Sequence, residues 1–109
     1  MEIAFADSKL QTLCEQLDIA QRKLGAKCTK KLITRLADIA AVSCVTELVA
    51  GRPHPLKGDR AGEFAVDLEG GKRLVFKPDH DPVPLTKHGS IDWSKVTAIC
   101  IVLIGDYHD

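Results

Sequence analysis

His54 stands between Pro53 and Pro55. The first proline has a fixed φ, and the second drives the residue before it out of the helical region. The imidazole is therefore presented from a stiff, extended backbone. Histidine as a residue type has an unperturbed pKa near 6.5 and can give or take a proton at neutral pH. Lys57 and Arg60 follow in the same segment. Cations beside an acid–base group are what phosphoryl transfer needs, because negative charge grows on the phosphate oxygens in the transition state. A charged surface loop would use the same residue types, so this segment alone does not decide between the two.

A second candidate is the C-terminal run Asp106-Tyr107-His108-Asp109. If a strand continues through it, Asp106 and His108 share one side, and Tyr107 and Asp109 share the other. Tyr107 could stack on a nucleobase, a contact worth about 1–3 kcal/mol. The plainer alternative is a loosely held polar tail. A metal held by His108 and two aspartates is not supported by the spacing. Arg73 opens a strand on the side opposite Leu74 and Phe76, where it is either a solvated residue or a planar, bidentate phosphate clamp. Between Ile19 and Ala37 there is no acid, but there are Arg22, Lys23, Lys27, Lys30, Lys31 and Arg35. That stretch is either a solvated helix face or a surface for a phosphate backbone.

These residues need a scaffold. Ile3 to Phe5 reads as a short strand, and Asp7 is a good cap for a helix from about Ser8 to Leu24, with Leu10, Leu13, Cys14 and Leu17 at helical spacing. Gly25 ends it. A second helix spans Ala26 to Ala41, with Cys28, Leu32, Leu36 and Ile39 in one stripe that Ile33, Ala37 and Ala40 widen. A further helical turn covers Val45 to Val49. Gly51 to Arg60 is a loop by its glycines and prolines. Phe64 to Leu68 alternates as a half-buried strand, and Glu69-Gly70-Gly71-Lys72 is a hairpin turn with positive φ at both central glycines. Arg73 to Phe76 returns, and Pro78 to Ser94 is a long exposed connection. Val96 to Ile104, apolar at every position but Thr97, suits a strand covered on both faces. Helices grouped ahead of a meander predict an α+β domain: a twisted, largely antiparallel sheet with two antiparallel helices on one face.

At 109 residues, the chain is one domain, residues 1–109. Its 45% apolar and 28% charged residues describe a soluble globular protein. No stretch spans a bilayer and no secretion signal opens the sequence, so a cytoplasmic location is expected. Cys14, Cys28, Cys44 and Cys100 form no C-x-x-C pair and read as thiols of a reducing cytosol. The formal net charge is zero, which argues weakly against nonspecific nucleic-acid binding. Trp93 reads as a packing residue.

Three segments together resemble one family. His54-Pro55-Leu56-Lys57-Gly58-Asp59-Arg60 resembles the His-Pro-Leu-Lys-Gly-Asp-Arg motif of HigB-like toxins in the RelE/ParE superfamily. Arg73-Leu74-Val75-Phe76, after its Gly-Gly turn, looks like that family's Trp/Arg-Arg-Ile-x-Phe strand. Asp106-Tyr107-His108 is similar to its closing Asp-Tyr-His. The resemblance implies a compact α+β toxin encoded beside an antitoxin, which enters the ribosomal A site and cuts mRNA there without a metal or other cofactor. By motif matching it implies an active cleft lined by His54, Lys57, Arg73, Asp106, Tyr107 and His108. Arg60, Lys27, Lys30 and Lys31 would add RNA contacts. The expected partners are a cognate antitoxin of helix-turn-helix type, the ribosome and mRNA, with no membrane. The reaction implied is attack of a 2′-hydroxyl on the adjacent phosphate, with His54 and His108 as the acid–base pair and Asp106 as a rival base. Two other functions remain compatible: a ParE-like inhibitor of DNA gyrase, and an inactive module that binds an antitoxin.

Overall fold

The computed structural model describes residues 1–106. Along the chain lie β1 (Glu2–Phe5), α1 (Ser8–Glu15), α2 (Leu17–Leu24), α3 (Ala26–Ala41), β2 (His54–Pro55), β3 (Phe64–Asp67), β4 (Arg73–Pro78) and β5 (Ala98–Gly105). Short 3-10 turns at Val45–Glu47, Gly58–Arg60, Glu69–Gly71 and Trp93–Lys95 link them.

The helical segment opens after Asp7 and its outer break falls at Gly25, as the sequence signals say. Asp7 Oδ1 accepts from the Leu10 amide at 2.9 Å and so satisfies a free donor of the first turn. Gly25, at φ 85°, closes α2, and α3 starts at the next residue. The expected single helix from Ser8 to Leu24 is instead two. Gln16 is extended (φ −118°, ψ 102°), yet its amide donates to Thr12 O at 2.9 Å and its carbonyl accepts from Ala20 N at 3.1 Å. Both backbone groups of the bend are satisfied, so it needs neither glycine nor proline. The bend takes Leu17 off the apolar stripe, leaving it 54% exposed. The stripe of α3 is also narrower than expected. Cys28, Leu32 and Ile39 are buried, whereas Ile33, Ala37 and Ala40 are exposed.

The five strands form one sheet in the order β1-β5-β4-β3-β2. Only β1 runs parallel to its neighbour, β5; the remaining pairs are antiparallel. The helices cover one face, where Leu10, Cys28, Leu32 and Ile39 meet Phe64, Val66, Leu74, Phe76, Ile99 and Ile101. Ile101 and Ile104 both belong to this side, although residues three apart should face opposite ways in a regular strand. The register explains it: Val75 faces Leu103 but Phe76 faces Ile101, so Val102 is an extra, bulged residue. Trp93 packs at the edge of this core, with its ring centroid 4.8 Å from that of Phe64.

Two further departures shape the site. His54 and Pro55, expected in a loop, form the edge strand, where a proline breaks no ladder between two neighbours. The β3–β4 turn does have both glycines at positive φ (65° and 81°), but it is one residue longer than a two-residue hairpin. Asp67 therefore pairs with Arg73, whereas a two-residue turn would have set it opposite Leu74. Among the described residues the cysteines are unpaired thiols, and no helix is long and apolar enough to cross a membrane.

Candidate active site on the sheet face away from the helices

The register builds two adjacent rows on the face turned away from the helices. One row is His54, Ala65, Val75 and Leu103; the next is Asp67, Arg73 and Gly105. Partners directly opposite each other project to the same side, so His54, Asp67 and Arg73 share this face. Ala65 and Val75 are fully buried between the strands that carry them. The middle of this face is therefore covered, and the polar groups stand around it.

His54 is held by its own loop. Its Nδ1 lies 2.7 Å from the Arg52 carbonyl oxygen. A carbonyl can only accept, so Nδ1 carries the proton and Nε2 keeps the lone pair in the neutral ring. No other described residue engages Nε2. His80 is the contrasting case. Its Nε2 accepts from the amides of Thr97 and Ala98 at 3.1 and 3.3 Å, so it is occupied in fixing the start of β5.

Asp67 ties four segments together. Its amide donates to Gly51 O at 2.7 Å, and its carbonyl accepts from Arg35 Nε at 3.2 Å. Its Oδ2 accepts from Arg52 Nε at 3.1 Å, and its Oδ1 lies 2.8 Å from Arg73 Nε. The last contact is an ion pair without hydrogen-bond alignment, because the N–H does not point at the oxygen. Arg73 Nη1 instead donates to Gly71 O at 2.7 Å and Lys72 O at 3.2 Å. Arg35, on α3, also reaches Asp38 at 3.3 Å. Three guanidinium groups thus face two carboxylates, Asp67 and Asp38, and the cluster keeps a net positive charge inside a neutral protein.

The turn that delivers Arg52 and His54 is conformationally demanding. Gly51 has φ 84° and Arg52 φ 50°, and a left-handed non-glycine residue is uncommon. A Cβ on Gly51 would lie 2.5 Å from Arg35 Nε, so the glycine allows the guanidinium to pass beneath the turn.

The other expected site residues divide. Lys57 is exposed just before the 3-10 turn at Gly58–Arg60. Arg60 is 2.7 Å from Glu63 in a half-buried ion pair, so it helps to fold its own loop. Lys27, Lys30 and Lys31 line one shallow groove with Thr34 and Glu69. That groove adjoins the Glu69–Gly71 turn, whose Gly71 carbonyl holds Arg73, so the lysines border the same end of the sheet. Asp106 follows directly on Gly105, the partner of Arg73, and is exposed. Tyr107 and His108 lie outside the described residues. Among the described residues no cluster of His, Cys, Asp and Glu is arranged to hold a metal. Arg52 and Asp67 are additions that the sequence reading did not single out, and Arg35 was read there only as part of the basic stretch from Ile19 to Ala37.

No family model and no curated protein matches the sequence. Solved structures do. A YoeB/ParE toxin from Agrobacterium tumefaciens matches over 99% of this chain and 100% of its own, with a TM-score of 0.61 and 15% identity. YoeB from Staphylococcus aureus, in complex with YefM, matches over 100% of this chain and 98% of its own, with a TM-score of 0.59 and 18% identity. The YoeB dimer from the same organism matches equally well. The fold is that of the YoeB/ParE toxins. The α+β architecture expected from the sequence, a largely antiparallel sheet with helices on one side, is this toxin fold, with three helices where two were expected.

Proposed function

We propose that this chain is the toxin of a toxin–antitoxin pair and that it cuts mRNA on the ribosome, in the manner of HigB-like toxins. The observation that carries the reading is the proton placement on His54. Its Nδ1 is committed to the Arg52 carbonyl, and its Nε2 is left to act as a base on the same face as Arg73. Nε2 takes the proton of a ribose 2′-hydroxyl, and the oxygen attacks the adjacent phosphorus. The bond to the 5′-oxygen breaks, and a protonated donor supplies that oxygen with a proton. The products are a 2′,3′-cyclic phosphate and a free 5′-hydroxyl. Arg73 and Lys57 offset the charge growing on the phosphate. His108 is our assignment for the donor, Asp106 a substitute, and Tyr107 a stacking platform for the base beside the cut. Three interstrand spacings separate His54 from the end of β5, about 14 Å of backbone.

Lys27, Lys30 and Lys31, with Arg60, are proposed to meet ribosomal RNA. The partner would be an antitoxin, as in the YoeB-YefM toxin-antitoxin complex of Staphylococcus aureus. Working on mRNA, the protein would act in the cytoplasm. The test is His54→Ala and His54→Gln in a purified translation system, with mRNA fragments mapped by primer extension. Cutting should fall by about 10²–10⁴-fold, the usual share of one general acid–base group. Unchanged cutting by both variants would refute the assignment. Intact mRNA with gyrase-linked DNA breaks would refute the reading as a whole.

A further inference from the structure

We propose that Arg52 and Arg73 form a two-guanidinium clamp for a single phosphodiester of the substrate, and that Asp67 is the positioning residue that sets the clamp. The proposal rests on the reading of this face as a site for cutting nucleic acid, and extends it to residues outside the motifs. The two arginines come from different elements, the loop before β2 and the first residue of β4. A single carboxylate joins them, one oxygen to each. Each turns its Nε toward Asp67. In Arg73 the Nη1 is used by the Gly71 and Lys72 carbonyls. The Nη atoms of Arg52 and Nη2 of Arg73 have no protein acceptor among the described residues, although a guanidinium offers five donors. Those remaining N–H groups suit an anion with several acceptor oxygens, and the planar fork suits phosphate. Arg52 is 67% exposed, so its bond to Asp67 is worth little as stability. Its meaning is geometric.

The surroundings support a positioning role. Asp67 is fixed through both of its own backbone groups, by Gly51 and by Arg35. Arg52 is held in a left-handed conformation, and strain of this kind persists where the structure around it over-determines the backbone. The same Arg52 also supplies the carbonyl that accepts from His54 Nδ1–H and so fixes the tautomer. One carboxylate thereby sets the spacing of two cations and stands one residue from the group that fixes the base.

The sign of one substitution separates this role from simple charge. Asp67→Asn removes a negative charge from the site. If Asp67 were only a neighbouring acid, the variant should bind an anionic oligonucleotide more tightly. As a positioning residue, its loss should weaken binding by about tenfold, the worth of one charge-assisted hydrogen bond. The probe is a fluorescent RNA hexanucleotide with 2′-O-methyl groups throughout, which cannot be cut, titrated against the full chain at several salt concentrations. Asp67→Glu, which keeps the charge, should restore part of the affinity. If Asp67→Asn does not fold by circular dichroism, Arg52→Ala, Arg73→Ala and the double variant decide the matter. Two arginines on one phosphate are coupled, so the double variant should lose less than the product of the single losses. Purely multiplicative losses, tighter binding by Asp67→Asn, or no binding of the hexamer by the wild-type chain would each overturn the clamp. Cutting of mRNA by the wild-type chain is scored separately. Its absence alongside a coupled pair of arginines would refute the ribonuclease reading and leave the clamp standing.

Discussion

Substitution of Gly51 by alanine tests the buttress beneath the site. Two costs are expected. Gly51 has φ 84°, and an L-residue forced into that region costs roughly 1–2 kcal/mol. The new Cβ would also lie 2.5 Å from Arg35 Nε and 3.1 Å from its Cδ. An arginine side chain can move aside, so the collision itself is not the cost. The cost is what Arg35 leaves behind: its bond to the Asp67 carbonyl at 3.2 Å and its contact with Asp38 at 3.3 Å. Its side chain is only 12% exposed, so water does not freely replace those partners. Losing a charged hydrogen bond of this kind is worth about 1.5–3 kcal/mol. Gly89 provides a matched control, with φ 85° and nothing within 4 Å of a Cβ built on it. Gly89→Ala should therefore show the backbone cost alone. For a chain of 109 residues the entropy of unfolding is about 0.23 kcal/mol per degree, so an extra 2 kcal/mol lowers Tm by roughly 9 °C. Differential scanning calorimetry of both variants checks the difference. The decisive arm is Arg35→Ala: in that background Gly51→Ala should cost no more than Gly89→Ala does. If Gly51→Ala melts with its control, or if the excess survives removal of Arg35, the buttress argument is wrong.

Two smaller predictions concern the helical layer. Burial, with a lesser contribution from Glu15, pushes the Cys14 thiol from 9.0 up to about 11; in a variant whose only cysteine is Cys14, alkylation by iodoacetamide at pH 8 should run about 100-fold slower than in the urea-unfolded chain, because the thiolate is the nucleophile. The unfolded chain gives up that proton from near pH 9 and the folded chain only near 11, so stability should fall across that window, and a urea midpoint that rises there would contradict the shift. Asp7→Ala removes the cap on the Leu10 amide and should cost about 1 kcal/mol, close to 4 °C in Tm, with no effect on hexamer binding.

Much of the fold was legible because local chemistry and burial agree along most of the chain. Asp7, Gly25 and the period of α3 mark the helices, and the alternation of Phe64, Val66 and Leu68 marks a strand with one buried face. The readings that departed are those in which local pattern and tertiary packing part company. Leu17 keeps helical spacing with Leu10 and Leu13, and nothing in the residue types around Gln16 announces a bend whose backbone bonds are all satisfied. The edge strand at His54 is two residues long and contains a proline, so no periodicity can show it. In the site, His54 and Arg73 were visible as residue types. Arg52 stood two positions from His54, yet its part depends on a left-handed turn that only the packing of Arg35 under Gly51 explains.

Asp67 shows why the rest was hidden. As a letter it is an acid on the polar side of a strand, and in a search for phosphate-binding chemistry an acid counts against a site. Its meaning comes from register, and register here turns on a single residue in the β3–β4 loop. Had Gly70 and Gly71 formed a two-residue turn, Asp67 would face Leu74, and Arg73 would have no carboxylate across the ladder. With the longer turn, the Asp67 carboxylate gathers arginines from a loop and a strand, and the main-chain carbonyl of the same residue takes a third. The chain is neutral as a whole, and the cluster is positive because three guanidinium groups converge where only two carboxylates do. Formal charge over the sequence therefore says little about whether such a protein can hold a phosphate. What matters is whether strand pairing brings its arginines to one place, and in this fold it brings them to the face that carries His54.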